Sequence, residues 1–332
     1  MKATTRRRTI AVLLLSIVVA MVVVVAQQQP PGFQTFVEEQ SLNYVIQQVL
    51  PILVQQVLKI QLPDIQQPVH TPIGEVDFTI SNFHFNSFSV DQVVVHVVEN
   101  TGFQILVNSV RLDVSANWHY REHGWPHVSD SGSVDSNAVL SATVLVRAGI
   151  DSTGRLQVDI DQNPSIGMSS FDIHLHGGAS WLYNLFVNMF KGNIRDSIVN
   201  AIRQQLTGPL NDQLKKQVAA IQYVVPIGNP ECHVNLDFTV LQTVFNTSYP
   251  TLFNVGAKGL FYEDNGIAYQ GPPPPTMGYR QLTSAPSMIQ LYLTDYVLNT
   301  AGWAWYQSGY LITTVTDKDI PEQVPVRLNT NS

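Results

Sequence analysis

The sequence predicts an α+β protein in which two helical segments accompany a large antiparallel sheet. The prediction rests first on two segments whose apolar residues recur at helical spacing. It rests second on the region between them, where apolar and polar residues alternate. The composition is the third observation, since 45% of the 332 residues are hydrophobic and only 13% are charged. Because a typical soluble chain carries about 25% charged residues, we expect an extensive buried core.

The chain begins with a segment typical of a secretory signal peptide. Four basic residues precede an apolar run over 10–25, and a small-residue cleavage site stands before Gln27. We therefore predict a signal peptide over 1–26 and a secreted, extracellular product. An uncleaved signal anchor is the alternative, because the apolar run approaches the ~17-residue lower limit for a membrane span.

Charge and cysteine content restrict the class of partner. The net charge of −7 argues against nucleic acid, because phosphate binding requires clustered Lys and Arg. Cys232 is the only cysteine, so the chain can form neither an intramolecular disulfide nor a cysteine-based zinc site. The triplet Asn246-Thr247-Ser248 is an N-glycosylation acceptor, which makes Asn246 the predicted glycosylation site.

The first helix is predicted between Gly32 and Leu62. Pro51 is expected to kink this helix or to end its first half. The opposite side of the helix carries glutamines and almost no charge, which argues against a basic membrane-surface helix. The apolar residues at helical spacing are Leu42, Val45, Ile46, Val49, Ile52, Leu53, Val57 and Ile60.

Between Val76 and Leu175 the apolar residues recur with a period of two, which predicts antiparallel strands with one apolar face. Phe83 and Phe85 reverse the phase of the run before them, which predicts a bulge or a bend. The alternating runs lie at 76–80, 93–97, 103–107, 110–118, 138–146, 156–160 and 171–175. The predicted turns lie at Asn100–Gly102, His123–Pro126, Asp130–Gly132 and Asp151–Gly154.

A second helix is predicted after these strands. Helical spacing runs from Trp181 to Ile202, Pro209 is expected to interrupt it, and 210–221 continues it. The elements predicted further on are strands at Val234–Phe245 and Leu252–Tyr262, a stiff proline linker around 272–275, and a short apolar block at 288–316.

The block Leu293-Thr-Asp-Tyr-Val-Leu-Asn-Thr-Ala-Gly302, followed by Tyr306-Gln-Ser-Gly309, is the most distinctive motif. Further segments that accompany it are Pro31–Phe33, Leu42–Tyr44, Leu62–Asp64, Trp181–Ile202, Gly259–Glu263, the proline linker and Asp317–Pro321. Taken in order, these segments closely resemble a secreted lipid-binding family. That family contains bactericidal/permeability-increasing protein, lipopolysaccharide-binding protein and the plasma lipid-transfer proteins.

The resemblance implies a tubular lipid-binding barrel, in which a strongly twisted antiparallel sheet wraps around long helices. It also implies central-sheet strands and a fragment of a second barrel. A phospholipid would keep its acyl chains inside the barrel and its headgroup at an opening. The implied domains are a signal peptide (1–26), an N-terminal lipid-binding barrel (27–222), central-sheet strands (223–265), a proline-rich linker (266–287) and the start of an incomplete C-terminal barrel (288–332).

The chain departs from the family pattern in three respects. Family members continue for most of another barrel, so we expect one complete barrel and only the start of a second; either the sequence is a truncated product or the second lipid site is absent. The disulfide of the vertebrate members has no counterpart, and its two positions match near Pro164 and Asn211. The basic tip that captures lipopolysaccharide is also missing. The matching segments, 67–75 and 118–127, carry Arg121 as their only fixed positive charge, whereas the lipid A phosphates of lipopolysaccharide require several.

We expect a non-enzymatic, cofactor-free protein that sequesters phospholipid or a related amphipathic lipid, for transfer or innate-immune recognition. A membrane or a bacterial envelope would be its partner surface. Two alternatives stay open: an antimicrobial protein that binds lipopolysaccharide, and a scaffold whose barrel is filled by side chains. A hydrolase is the weakest option, because no nucleophile motif is present. The predicted lipid contacts are Val45, Val49, Ile52, Leu53, Leu182, Leu185, Phe186 and Met189.

Three histidines, His119, His123 and His127, share the four-residue spacing of metal ligands on a helix. Gly124 and Pro126 lie between them, so we predict a solvated turn that binds no metal. Protonation of these histidines below their ordinary pKa of ~6.5 would create a pH-dependent positive patch.

Overall fold

The computed structural model describes residues 29–320, with gaps at 59, 72–73, 125–127, 179, 229–232, 249, 280–287 and 313. The predicted signal peptide over 1–26, Cys232 and His127 therefore lie outside the described residues. Within the described ranges, no helix combines the length and the apolar character needed to cross a membrane.

The largest element is an antiparallel sheet in the order β2-β3-β4-β5-β6, with β7 also paired to β5. Its inward side chains alternate with exposed ones along each strand, which confirms the predicted period of two. The strands are β2 (Ile65–Thr71), β3 (Gly74–Val98), β4 (Gly102–Glu122), β5 (Ser129–Ile150), β6 (Leu156–Ile160) and β7 (Ser165–His176).

The change of phase at Phe83 and Phe85 is a real irregularity of β3. Its pairing with β4 shifts register between Ser81 and His84 and again after Phe85, and Asn82 has a φ of 55°. The predicted bulge is confirmed. It allows β3 to keep its apolar side chains inward along 25 residues.

The predicted turn at Asp130–Gly132 is wrong, because these residues lie inside β5. Gly132 pairs with Trp118 of β4. A Cβ atom at Gly132 would lie 2.1 Å from the His176 carbonyl oxygen and 2.8 Å from the Trp118 indole. The glycine is therefore required by close packing between strands, and the chain does not turn there.

The second predicted helix is confirmed, and its buried side chains form part of the core that the sheet surrounds. In α2 (Ser180–Gln205), Phe186, Phe190, Ile194 and Ile198 recur every four residues and are almost completely buried. Phe78 of β3 contacts Phe190 with ring centroids 4.7 Å apart. These side chains share one core with β2, β3, β4, β5 and β7, so the sheet wraps around α2.

Pro209 alters the helix without ending it. The backbone widens into a π-helical turn (Leu206–Leu210) and then continues as α3 (Asn211–Ala219). The proline has no N–H to donate, and the wider turn accommodates it within a continuous helical path.

A second sheet, in the order β10-β11-β1-β13, crosses the end of the barrel. Its first strand, β1 (Phe33–Glu38), pairs on both sides, so the predicted helical start at Gly32 is wrong. The helix α1 begins at Glu39, runs to Val57 and continues past Pro51, so the proline does not end it. The other strands are β10 (Val240–Asn246), β11 (Leu252–Ala257) and β13 (Ile289–Leu293).

A small third sheet has the order β12-β9-β8. The predicted strands over 234–245 and 252–262 are each divided between this sheet and the second one. Where the chain passes from the second sheet to the third, Lys258 pairs with Asp237 at 2.9 Å. The remaining elements are β8 (Val224–Ile227), β9 (Val234–Asp237), β12 (Leu260–Glu263), α4 (Asp295–Gln307), whose Ala304 packs on the third sheet, and a short 3-10 turn (Asp317–Asp319).

Candidate functional site

An apolar cavity of ≈150 Å³ lies between the large sheet and the helices. Only Ser141 and Gln205 among its lining residues are polar, and none is charged. The lining comes from α1 and the segment that follows it, from β3, β4, β5 and β7, and from α2 and the π-helical turn. The residues are Leu50, Val54, Ile60, Phe88, Val90, Val107, Val110, Leu140, Ser141, Ala142, Val144, Ile166, Ile202, Gln205, Leu206 and Leu210.

The cavity coincides with irregular backbone on three sides. In β4, Asn108 and Ser109 together oppose Ser141 of β5, and Ser109 has a φ of 53°. In β7, Ser169 is the extra residue where the pairing with β5 shifts between Val139 and Leu140. The π-helical turn closes the third side. Each irregularity moves backbone away from ideal packing, and such bulges cluster at functional sites.

The chemistry of this lining selects for hydrocarbon. An apolar cavity of about 150 Å³ stays dry and accepts a benzene-sized group, because water would find too few hydrogen-bond partners there. A charged or strongly polar group would lose its hydration without compensation. The cavity can therefore hold part of an aliphatic or aromatic ligand, while polar parts remain outside.

The predicted lipid contacts are only partly described. Phe186 is completely buried against Phe78, and Met189 packs against the same core, but neither lines the cavity. Val45 is 53% exposed and lies outside the core. The side chains of the other five predicted contacts lie outside the description: Val49, Ile52, Leu53, Leu182 and Leu185.

Val45 is exposed because the side of α1 that meets the sheet is its polar side. A polar stripe of that helix covers the open edge of β3, where β2 no longer pairs. Four helical residues span about 6 Å and two strand residues span about 6.6 Å, so the two repeats match. The hydrogen-bonded pairs are Glu39 with Val97 (3.0 Å), Asn43 with Val95 (2.7 and 3.1 Å) and Gln47 with Val93 (3.3 Å).

Beyond the cavity, α3 is fastened to β6 by polar contacts. Asn211, which is 2% exposed, accepts the Ile160 N–H at 2.9 Å and donates to Asp159 at 3.0 Å. Lys215 pairs with the same carboxylate, and these bonds hold the pKa of Asp159 below its ordinary value. Asp161 pairs with Arg147 at 2.7 Å, so each of the two neighbouring carboxylates has its own cationic partner.

Two of the three histidines near the end of the barrel, His119 and His123, lie in the described part of the chain. His123 pairs with Asp77 at 2.6 Å, and this hydrogen bond raises the pKa of the histidine. His119 is exposed on β4. Among the described residues, no group of three or more His, Cys, Asp or Glu side chains could hold a metal ion. Asn246 ends β10, where its Nδ2 donates to two carbonyl oxygens at 3.1 Å.

The fold and the cavity define a protein whose antiparallel sheet wraps around a helix and encloses apolar space. The chain belongs to the LBP / BPI / CETP family. The N-terminal domain of that family matches residues 41–208, and its C-terminal domain matches residues 231–332. The family predicted from the resemblance is therefore confirmed.

Two curated relatives illustrate the similarity. The bactericidal permeability-increasing protein of Sebastes schlegelii is 26% identical over 309 residues, which cover 91% of this chain and 62% of the relative. The lipopolysaccharide-binding protein of Bos taurus is 25% identical over 309 residues, which cover 91% of this chain and 61% of the relative. The chain thus spans less than two thirds of the length of these relatives.

A crystal structure of lipopolysaccharide binding protein matches the fold with a TM-score of 0.71 at 20% identity. The match covers 91% of this chain and 64% of that chain. This likeness confirms the tubular fold that the resemblance implied.

Proposed function

We propose that the chain binds an amphipathic lipid and sequesters its acyl chain in the apolar cavity. The cavity lining, which is apolar except for Ser141 and Gln205, is the observation that carries this proposal. Membership of the LBP / BPI / CETP family supports it. The site lies in the barrel predicted over 27–222, and the ligand changes location without changing chemically.

The energy for sequestration comes from burial of hydrocarbon. Each buried CH2 contributes about 0.8 kcal/mol, so the roughly six carbons of an acyl chain that a cavity of ≈150 Å³ holds supply on the order of 5 kcal/mol before ordering costs. The cavity volume accommodates a segment of such a chain, and the remainder extends toward the surface. The headgroup stays in water, because the lining offers it almost no hydrogen-bond partners.

Phospholipid is a better candidate ligand than lipopolysaccharide. The names of the bovine relative and of the solved structure support lipopolysaccharide. Against this, Arg121 lies directly opposite Asp77, and His123 is paired with the same carboxylate. Several unopposed cations are needed to bind the lipid A phosphates of lipopolysaccharide. The predicted signal peptide supports action outside the cell, on membrane or envelope lipids.

The test is uptake of a fluorescent phospholipid by variants that fill the cavity. Ala142→Leu and Val107→Phe each add volume to the lining, and Ala148→Leu is the matched control on the same strand outside the cavity. If filling the cavity lowers the binding free energy by about 1 kcal/mol, the affinity of the filled variants for the phospholipid falls about fivefold.

Circular dichroism spectra show which variants keep the parental fold, and uptake is compared only among those variants. The control is expected to keep parental uptake. Parental uptake by both filled variants would refute this cavity as the site. Absence of uptake by the parent would favour the scaffold alternative.

A further inference from the structure

A second void lies beside the apolar cavity. It is a groove of ≈730 Å³ between the end of β5, β6 and α3, and the cavity lies further along the same strand and the same helical path. All thirteen residues that line the groove fall between positions 147 and 219, so its walls belong to the barrel itself. The groove and the cavity therefore occupy neighbouring parts of the space between the sheet and the helices.

One layer of apolar side chains separates the two voids. The layer consists of Val146, Ile160 and Leu214, which pack together. Leu214 is only half-buried, so it is the member of the layer with the most room to change its conformation. Two residues of a strand span about 6.6 Å and four residues of a helix span about 6 Å, so cavity, layer and groove follow one another in step. The residues in this order are Val144, Val146 and Ala148 on β5, and Leu210, Leu214 and Val218 on the helical path.

The floor of the groove is apolar and continues the surface that begins in the cavity. A cavity of ≈150 Å³ holds roughly six carbons, so most of a membrane acyl chain must lie elsewhere. Apolar surface beyond the layer removes the remaining carbons from water. The apolar residues that line the groove are Ala148, Ile150, Leu156, Val158, Val218 and Ala219.

The rim of the groove carries three cations, Arg147, Arg155 and Lys215. Arg147 and Lys215 each pair with a carboxylate near the end of β6. Arg155 forms no ion pair among the described residues, and its guanidinium lies 6.0 Å from the centroid of the Tyr223 ring. Tyr223 is itself held in place, because its hydroxyl accepts the Leu156 N–H at 2.8 Å. The aromatic ring thus supports a cation at the edge of the groove.

Two carboxylates also line the groove, and both have partners of their own. Asp159 binds Lys215. Asp151 accepts the N–H groups of Arg155 and Thr153 at 3.0 and 2.8 Å within its own turn, and these bonds lower the pKa of the carboxylate. The planar fork of donors on the Arg155 guanidinium therefore stays available to a ligand, and its shape fits two oxygens of one phosphate.

We propose that the groove is the entrance to the cavity and binds the phosphate of the lipid headgroup through Arg155. This inference rests on the proposed lipid binding. The acyl chain passes Leu214 into the cavity, its remaining carbons lie on the apolar floor, and the headgroup stays at the rim in water. A lipid that carries a phosphate is therefore preferred to a neutral glycerolipid with the same acyl chains.

The test compares two fluorescent lipids that differ only in the phosphate. They are phosphatidate and diacylglycerol with identical acyl chains, each presented to the purified chain in uncharged maltoside micelles. The parent is expected to bind phosphatidate about tenfold more tightly, because diacylglycerol lacks the charged group that the guanidinium binds. Arg155→Gln is expected to remove this difference and to leave the affinity for diacylglycerol unchanged. Arg195→Gln, at an exposed site on α2 outside the groove, is the matched control and is expected to keep the parental preference.

Inorganic phosphate tests whether the site takes a lipid headgroup or a free anion. Added phosphate is expected to compete with phosphatidate and to leave diacylglycerol bound. Substitution of Leu214 tests the path of the acyl chain: Leu214→Ala is expected to speed the uptake of both lipids, and Leu214→Trp is expected to slow it. Ala148→Leu leaves the passage open, because the groove is wide at that point of its floor.

Equal affinity of the parent for both lipids, or a preference that survives Arg155→Gln, would overturn the proposal. Phosphate that binds through Arg155 without displacing phosphatidate would also overturn it, since the site would then serve a free anion. Uptake rates that are the same in both Leu214 variants would refute the path. Absence of uptake of either lipid would refute the proposed lipid binding itself, together with this inference.

Discussion

Replacing Asn211 tests how the helical path is fastened to the barrel. Its amide joins α3 to β6 through the Ile160 N–H at 2.9 Å and the Asp159 carboxylate at 3.0 Å. The side chain is 2% exposed, so water does not replace these bonds freely. Asn211 also stands near one position where the resemblance places the disulfide of vertebrate family members.

The expected cost of Asn211→Ala follows from the two bonds. A hydrogen bond to a charged group contributes about 1.5–3 kcal/mol, and a buried N–H without an acceptor costs about 1–3 kcal/mol. The two effects share one region and are not additive, so we expect the free energy of unfolding to fall by about 2–4 kcal/mol.

Urea unfolding followed by tryptophan fluorescence measures this change. Asn193→Ala is the matched control, because Asn193 also donates one bond between elements, to Gln67 at 2.9 Å, but that bond is exposed to water. We expect a change of less than about 0.5 kcal/mol for the control. If Asn211→Ala were as mild as the control, the polar fastening would be refuted.

Three further predictions concern packing, an unpartnered amide and pH. Gly132→Ala is expected to lower the unfolding free energy by about 1–3 kcal/mol through overpacking, whereas Gly149→Ala, with no atom within 4 Å of its new Cβ, should change it far less. Asn254→Leu is expected to raise thermal stability, because both side-chain polar atoms of Asn254 are buried and have no hydrogen-bond partner among the described residues; a fall in the melting temperature would contradict this. Burial raises the pKa of Asp237, but hydrogen bonds, that of Lys258 among them, outweigh it and leave the pKa lowered. A lowered carboxyl pKa stabilises the fold above the unfolded value of ~3.9, and this stability is lost as the pH falls through the folded value. Lys258→Met should therefore move acid unfolding to higher pH, and an unchanged acid midpoint would contradict this assignment.

The period-two and helical patterns were sufficient to predict the barrel and its central helix. Phe78 and Ile80 alternate on β3 because one face of that strand is buried, and Phe186 and Phe190 recur on α2 for the same reason. These patterns depend only on which face meets the core, so a single sequence contains them.

The side of α1 that contacts the barrel could not be predicted in the same way. The prediction assumed that its apolar residues face the sheet, but Asn43 and Gln47 cap the edge of β3 instead. Amide side chains on a helix look solvent-facing unless the backbone groups that they bind are known. Those groups belong to residues about 50 positions further along the chain.

The cavity was missed for a related reason. Leu50, Val54 and Ile202 line the cavity and lie on the two helices that carry the predicted lipid contacts, but they are not among those contacts. The position of the cavity depends on the bulge at Asn108–Ser109 and on the π-helical turn. Of these two features, only the π-helical turn has a signal in the sequence. That signal is Pro209, which suggests an interruption of the helix and does not indicate a widened turn.

The most direct test of the proposed lipid binding is mass spectrometry of the purified chain, under native and denaturing conditions, with organic extraction of the same sample. We expect about one acyl lipid per chain, retained in the native spectrum and released on denaturation. A folded chain that carries no lipid, and takes up none when phospholipid vesicles are added, would contradict it.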